Sequence, residues 1–197
     1  HSIEDVATPQ AFEKNPEKVL NFYNERRKQL LHSKPNQAHH YIASLENDYQ
    51  VTVVTQNIDN FHEQAGSTNV IHLHGELLKS KSNYHPDKIY NQKQDIKLGD
   101  TDEEGHQLRP HVVWFGEAVP LMPEAIDVCQ KADIALVIGT SLQVYPAAGL
   151  INELSGDAKI YLIDPDPQVN PGRNLKIIQD KAVSGMKKLY TKLTNSY

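Results

Sequence analysis

The sequence predicts an α/β domain built on a buried parallel sheet, on three observations. After Asp48 the chain turns to short, continuous runs of β-branched residues, and such runs belong to strands buried on both faces. Helix-compatible stretches separate the runs, as parallel strands require of their connections. At 197 residues with 39% apolar side chains, the chain is long enough to bury a sizeable core.

Taken in order, the first quarter reads as helical. Asn15-Pro16 supplies a cap and a first-turn proline, and Glu17 places negative charge at a helix N-terminus. Val19, Leu20, Phe22, Tyr23, Leu30 and Leu31 continue at helical spacing until Ser33-Lys34-Pro35. A second helix starts at Asn36 and carries Ala38, Tyr41, Ile42 and Leu45 on one face. Neither helix is apolar enough to be central, so both are expected in a satellite layer. The strand runs follow at 51–55, 70–74, 111–115, 134–138, 159–163 and 175–178, and residues 183–193 have the spacing of a covering helix. Residues 76–109 are rich in Lys, Asp, Asn and Gln, too long for a structureless loop in a compact domain. They read as a small inserted module or a mobile surface excursion.

Composition removes several classes of function. Twenty basic against 25 acidic residues, net charge −5, leave no electrostatic footprint for a nucleic-acid backbone. No run approaches the about 18 apolar residues of a membrane span. The single cysteine, Cys129, excludes an internal disulfide and any multi-cysteine zinc site, and it lies in a helical stretch without a cationic neighbour to activate it. The reducing cytoplasm is the expected address. The chain opens His1-Ser2-Ile3 without an initiator methionine, as part of something longer would.

Ligands of doubly wound sheets bind beyond the carboxyl ends of the strands. Residues 51–55 run into Gln56-Asn57-Ile58-Asp59, residues 134–138 into Gly139-Thr140-Ser141, and residues 159–163 into Asp164. Three strand ends with hydrogen-bonding groups suggest a nucleotide-sized polar ligand, although Asn, Asp and Ser also cap helices. No G-x-G-x-x-G and no G-x-x-x-x-G-K occurs, so a dinucleotide would need another phosphate loop. His72 and His74, two apart in an extended run, point to one side of a strand. As a pair they suit a metallohydrolase, which would need further ligands. A single neutral histidine acting as general base is more economical, and His74, next to Gly75, is the better placed.

Read together, these segments resemble the sirtuin family of NAD-dependent protein deacylases. Thr55-Gln56-Asn57-Ile58-Asp59 and Asn69 to Gly75 look like its core and catalytic-histidine motifs. Arg109 to Glu117 and Gly139 to Pro146 are similar to two further signatures, and the likeness runs to about Ala182. It implies a Rossmann-like domain at 51–75 and 110–197, with a small discontinuous domain made of helices at 1–50 and the insert at 76–109. It implies NAD as cofactor. Gln56 would meet the nicotinamide ribose, Asn57, Ile58 and Asp59 the nicotinamide pocket, and His74 would be the general base. Gly139, Thr140 and Ser141 would contact phosphate and ribose, Asp164 the adenosine ribose, and Ala182 the adenine. Val112, Phe115, Gly116, Glu117 and Val144 would line the acyl-lysine channel, where substrate backbone adds as a strand. The implied reaction passes the acyl group to ADP-ribose and releases nicotinamide and free lysine.

Tyr23 and Arg26, three apart on one helix face, are similar to the Tyr-x-x-Arg pair of the branch that removes succinyl and malonyl groups. A guanidinium suits a carboxylate through paired hydrogen bonds, and a phenol can add another. The chain departs from the family pattern twice. The segment 76–109 has no cysteine, so no zinc is expected and other contacts must hold the module. The Gly-Ala-Gly phosphate loop and its arginine, upstream of these helices in the family, are not in the sequence, and without them NAD binding should be poor. The expectation is therefore a deacylase (desuccinylase, demalonylase and deacetylase) lacking an N-terminal portion. It would act as a monomer on acyl-lysine proteins, with no nucleic-acid or membrane partner. The rivals are an inactive NAD- or peptide-binding module and a protein ADP-ribosyltransferase.

Overall fold

The computed structural model describes residues 2–140 and 147–195. Seven α-helices run α1 Ile3–Val6, α2 Pro9–Lys14, α3 Pro16–Leu31, α4 Gln37–Ser44, α5 Phe61–Ala65, α6 Met122–Gln130 and α7 Ala182–Thr194. Eight strands run β1 Val53–Thr55, β2 Val70–His72, β3 Gly75–Ser82, β4 Ile89–Asn91, β5 Leu108–Val112, β6 Ile134–Ile138, β7 Lys159–Ile163 and β8 Leu175–Ile178. They fall into two compact units, 1–34 with 55–60 and 72–119, and 35–54 with 61–71 and 120–197.

In the first unit, α2 and α3 are capped by side chains. Thr8 accepts a hydrogen bond from the Ala11 amide at 3.1 Å, and Asn15 accepts one from Lys18 at 3.0 Å, each ahead of a proline that starts the helix. On its buried face α3 presents Val19, Leu20 and Tyr23. Asn24, also buried, exchanges two 2.9 Å hydrogen bonds with the Ile96 backbone, and Arg27 donates to the Leu77 carbonyl at 3.0 Å. These polar side chains fasten the start of the 76–109 segment, at Leu77, and its interior, at Ile96, to α3.

That segment is folded: β3 pairs with β4 and with β5, both antiparallel. The expected strand 111–115 is thereby corrected. It lies at Leu108–Val112 in an antiparallel sheet rather than the parallel one, and Val113 and Trp114 fall beyond its end. Continuous apolar character signals burial but does not tell one sheet from another. The run at 70–74 is corrected too, because β2 stops at His72 and residues 73–74 form a turn.

The second unit holds the predicted parallel sheet, in the order β6-β7-β8, with Leu136 opposite Tyr161 and Tyr161 opposite Lys176. The central strand β7 is buried at Tyr161, Leu162 and Ile163. Against it packs α7, with Met186 and Leu189 fully enclosed, a burial that stabilises by about 1.5–3 kcal/mol for each side chain. Gly185 permits the close approach, since a Cβ there would strike the Ile163 side chain. The predicted face of α4 (Ala38, Tyr41, Ile42 and the following Leu45) joins this same core, so residues 35–50 pack with the second unit rather than with the N-terminal helices. Cys129 sits half-buried on α6, where burial and the Glu153 carboxylate push its thiol pKa up. No helix among the described residues is long and apolar enough to cross a membrane.

Candidate active site

In the first unit, two stretches of backbone converge on His74. The Leu73 amide donates to the Thr55 carbonyl at 3.0 Å, and the Leu77 amide donates to the Ile58 carbonyl at 2.8 Å. The loop Gln56-Asn57-Ile58-Asp59 is thus clipped on both sides of the 73–74 turn. Within the loop the Asn57 amide donates to Thr55 Oγ1 at 3.1 Å, and His72 Nδ1 lies 3.3 Å from the Asn57 carbonyl. On the far side of the turn the Val113 amide donates to the His74 carbonyl at 2.9 Å. Gly75 makes the reversal possible. Its φ is 85°, and a side chain would drive into the His111 carbonyl.

His74 is half-buried, and burial lowers its pKa, opposed by a hydrogen bond to the Gln56 backbone that favours the charged form. A ring that donates to a backbone carbonyl through one nitrogen presents a lone pair on the other. The sequence-predicted Gln56, Ile58 and Asp59 are partly exposed and Asn57 is exposed, all on the loop fixed to His74.

The predicted acyl-channel residues of the same unit are organised by one buried ion pair. Arg109 donates to Glu117 through Nη1 at 2.7 Å and Nη2 at 3.1 Å, and Nη2 also reaches the Val112 carbonyl at 3.0 Å. Its guanidinium lies 3.3 Å above the Trp114 ring, and the Glu117 carboxylate accepts from the Trp114 amide at 2.7 Å. Burial pushes the Glu117 pKa up, but Arg109 and the Trp114 amide outweigh it and hold the carboxyl below its usual value. The pair closes residues 109–117 into a loop with Phe115 and Gly116 at its exposed tip, Gly116 at φ 87°. Val112 is buried at its base. Sequence motifs include Arg109 and Glu117 but do not disclose that they pair, because residues eight apart share no local periodicity.

Tyr23 is 4% exposed, and its hydroxyl accepts the Trp114 indole N–H at 3.0 Å. Burial raises its pKa, moderated by that bond and by the Arg109 charge. Arg26 is exposed, with its guanidinium 5.1 Å from the Phe22 ring centroid. Tyr23 and Arg26 are thus neighbours on α3 without a hydrogen bond between them, one fixed by the core and one free to turn toward solvent.

In the second unit, Gly139 and Asp164 follow the carboxyl ends of adjacent parallel strands, β6 and β7. Gly139 has φ 62°, and among the described residues a Cβ there would meet nothing within 4 Å. Asp164 Oδ1 accepts from the Asp166 amide at 2.7 Å, the turn-capping role that sequence alone also allows. Thr140 follows Gly139, and Ala182 opens α7. Ser141 and Val144 lie outside the described residues.

Comparison with known proteins identifies the family. Residues 1–146 match the model of the Sir2 family. A protein of Aggregatibacter actinomycetemcomitans named NAD-dependent protein deacylase is 55% identical over 88% of this chain and 83% of its own length. One of the same name from Helicobacter pylori strain 26695 is 49% identical over 98% of this chain and 85% of its own length. Among solved structures, a Sir2 homologue mutant in complex with ADP ribose superposes with TM-score 0.89 at 33% identity, covering 100% of this chain and 81% of that one. A Sir2 homologue–NAD complex gives TM-score 0.86 at 34% identity, covering 98% and 78%. The α/β fold is therefore the Rossmann-like fold of sirtuins, and the chain belongs to the Sir2 family.

Proposed function

We propose that this protein is an NAD-dependent protein-lysine deacylase, and that among acyl groups it removes succinyl and malonyl as well as acetyl. What carries the reading is the His74 imidazole, whose burial favours its neutral form, on a turn held by backbone bonds against the Gln56–Asp59 loop. NAD, when bound, supplies the electrophilic ribose carbon and the nicotinamide leaving group. His74 takes a proton from a ribose hydroxyl, for which a lone pair available at neutral pH is the requirement. Gln56, Asn57, Ile58 and Asp59 orient the nicotinamide end. Gly139, Thr140, Ser141, Asp164 and Ala182 serve the phosphate and adenosine end.

Val112, Phe115, Gly116, Glu117 and Val144 would receive the acyl-lysine segment. The exposed tip of the 109–117 loop offers a backbone edge to an extended peptide. Tyr23, whose oxygen accepts from Trp114, keeps its own proton to donate and would offer it to an acyl carboxylate, and Arg26 would supply the charge. The chemistry asks for a base and orienting amides, and the segment 76–109 has no thiolate for a cysteine zinc centre. We place the protein in the cytoplasm, as a monomer acting on acyl-lysine proteins.

The test follows matched acetyl-lysine and succinyl-lysine peptides with NAD by mass spectrometry, using the complete protein. His74→Ala should cut turnover by about 10²–10⁴-fold with the melting temperature little changed. Arg26→Met should depress succinyl removal and spare acetyl removal. Absence of any NAD-dependent product would overturn the enzyme in favour of a binding module. ADP-ribose accumulating on protein instead of on the acyl group would make it a transferase to protein. Equal loss of both activities in Arg26→Met would remove the succinyl assignment alone.

A further inference from the structure

The absence of cysteine from residues 76–109 predicts no zinc there, but folding brings other donors together. His85, Glu104 and His106 each offer one ligand atom, and the three atoms lie within 4.8 Å of one another. His85 Nε2 is already 2.9 Å from Glu104 Oε2. We propose that these side chains form a binding site for a divalent transition metal, zinc in the first instance, that staples the turn after β3 to the loop before β5. The proposal is independent of the deacylase reading and places no metal in that chemistry.

A buried scaffold holds the ligands in place. Asp102, 6% exposed, accepts from Ser82 Oγ at 2.7 Å and from the Glu104 and His106 amides at 2.9 Å each. Ser82 Oγ in turn accepts from the His85 amide at 3.0 Å. One carboxylate therefore fixes both backbone segments that bear the donors. The Tyr84 ring stacks on His106 at 4.5 Å between centroids and meets His85 edge-on at 4.9 Å, which limits the rotation of both imidazoles. His106 Nδ1 is buried without a hydrogen-bond partner, 3.4 Å from Asp102 Oδ1. A metal-bound imidazole commonly donates its other N–H to a carboxylate, so ligation of His106 would put Asp102 to that use.

Charge and donor type define the cation. Asp102, Glu103 and Glu104 outnumber Lys88, whose ammonium holds Glu104 Oε1 at 2.5 Å and lies 3.8 Å from Glu103. Glu104 Oε2 is thereby the oxygen presented to His85. Two imidazoles and one carboxylate suit zinc and its first-row neighbours rather than calcium or magnesium. Tetrahedral binding at about 2.0–2.1 Å requires the donor atoms to close to about 3.4 Å, within reach of side-chain rotation, with water as the fourth ligand.

The untagged protein, stripped with chelator, is titrated with zinc chloride by calorimetry. One saturable equivalent is expected, weakened at least tenfold by His85→Ala, Glu104→Gln or His106→Ala and unchanged by His40→Ala at an exposed site elsewhere. Lys88→Ala frees the second oxygen of Glu104 and should tighten binding several-fold, a gain that misfolding cannot imitate. Zinc should also raise the melting temperature of the wild type and not that of the triple variant. No saturable binding, affinity indifferent to the three ligand substitutions, or no gain in Lys88→Ala would each overturn the site.

Discussion

Two charged clusters in the first unit use the same chemistry to different ends. Around Glu117, the Arg109 side chain is 6% exposed, sits over Trp114 and spends its fork on one carboxylate and one carbonyl. Around Glu104, Lys88 and His85 approach from side chains 31% and 32% exposed, and the carboxylate itself is 53% exposed. Water can take over either partner in the second cluster but not the guanidinium of the first. Burial, rather than the number of ion pairs, decides which cluster sets the shape of the chain. The 109–117 loop depends on its pair, whereas the outer turn merely tolerates its own.

The largest expected effect follows from removing the partner of a buried charge. Glu117→Ala strands the Arg109 guanidinium and should cost about 3 kcal/mol in urea unfolding. A loss under about 1 kcal/mol would make the two clusters equivalent and break the comparison. Next comes Tyr23→Phe, which keeps the ring but leaves the buried Trp114 indole N–H without its acceptor, for about 1–2 kcal/mol in the same measurement. A smaller effect appears with acid. Because the Glu117 pKa is lowered in the folded state, its stabilisation is complete above the ordinary glutamate value and fades as pH falls through the folded value. Glu117→Gln should therefore flatten the acid limb of stability against pH, and an unaltered limb would assign that slope to other carboxylates. Least of all, Lys88→Ala should leave the melting temperature of the metal-free protein where it was, and a clear drop would show that the outer cluster carries structural weight.

Legibility from sequence tracked the range of each interaction. The Asn15-Pro16 cap, the amphipathic face of α4 and the apolar runs of β6 and β7 are encoded within a few residues, and each was readable. His74 stands out in the sequence because Gly75 and the neighbouring motif mark it. The sequence hint that Gly75 allows close approach became concrete only in the left-handed φ and the His111 carbonyl facing it. Hidden were pairings that exist only after folding. The antiparallel placement of β5, the Arg109–Glu117 fork and Asp102 as the anchor of the outer loop belong here. Nothing in Asp102-Glu103-Glu104 distinguishes the one buried carboxylate from its two exposed neighbours except the approach of Ser82 from twenty residues away.

The quietness of Cys129 has a practical consequence. Burial and the Glu153 carboxylate push its pKa up and so disfavour the thiolate, the form that maleimides attack. The chain is thus close to a blank canvas for thiol labelling without first deleting its native cysteine. A Phe115→Cys variant, at the exposed loop tip, would take up a fluorophore ahead of the half-buried Cys129.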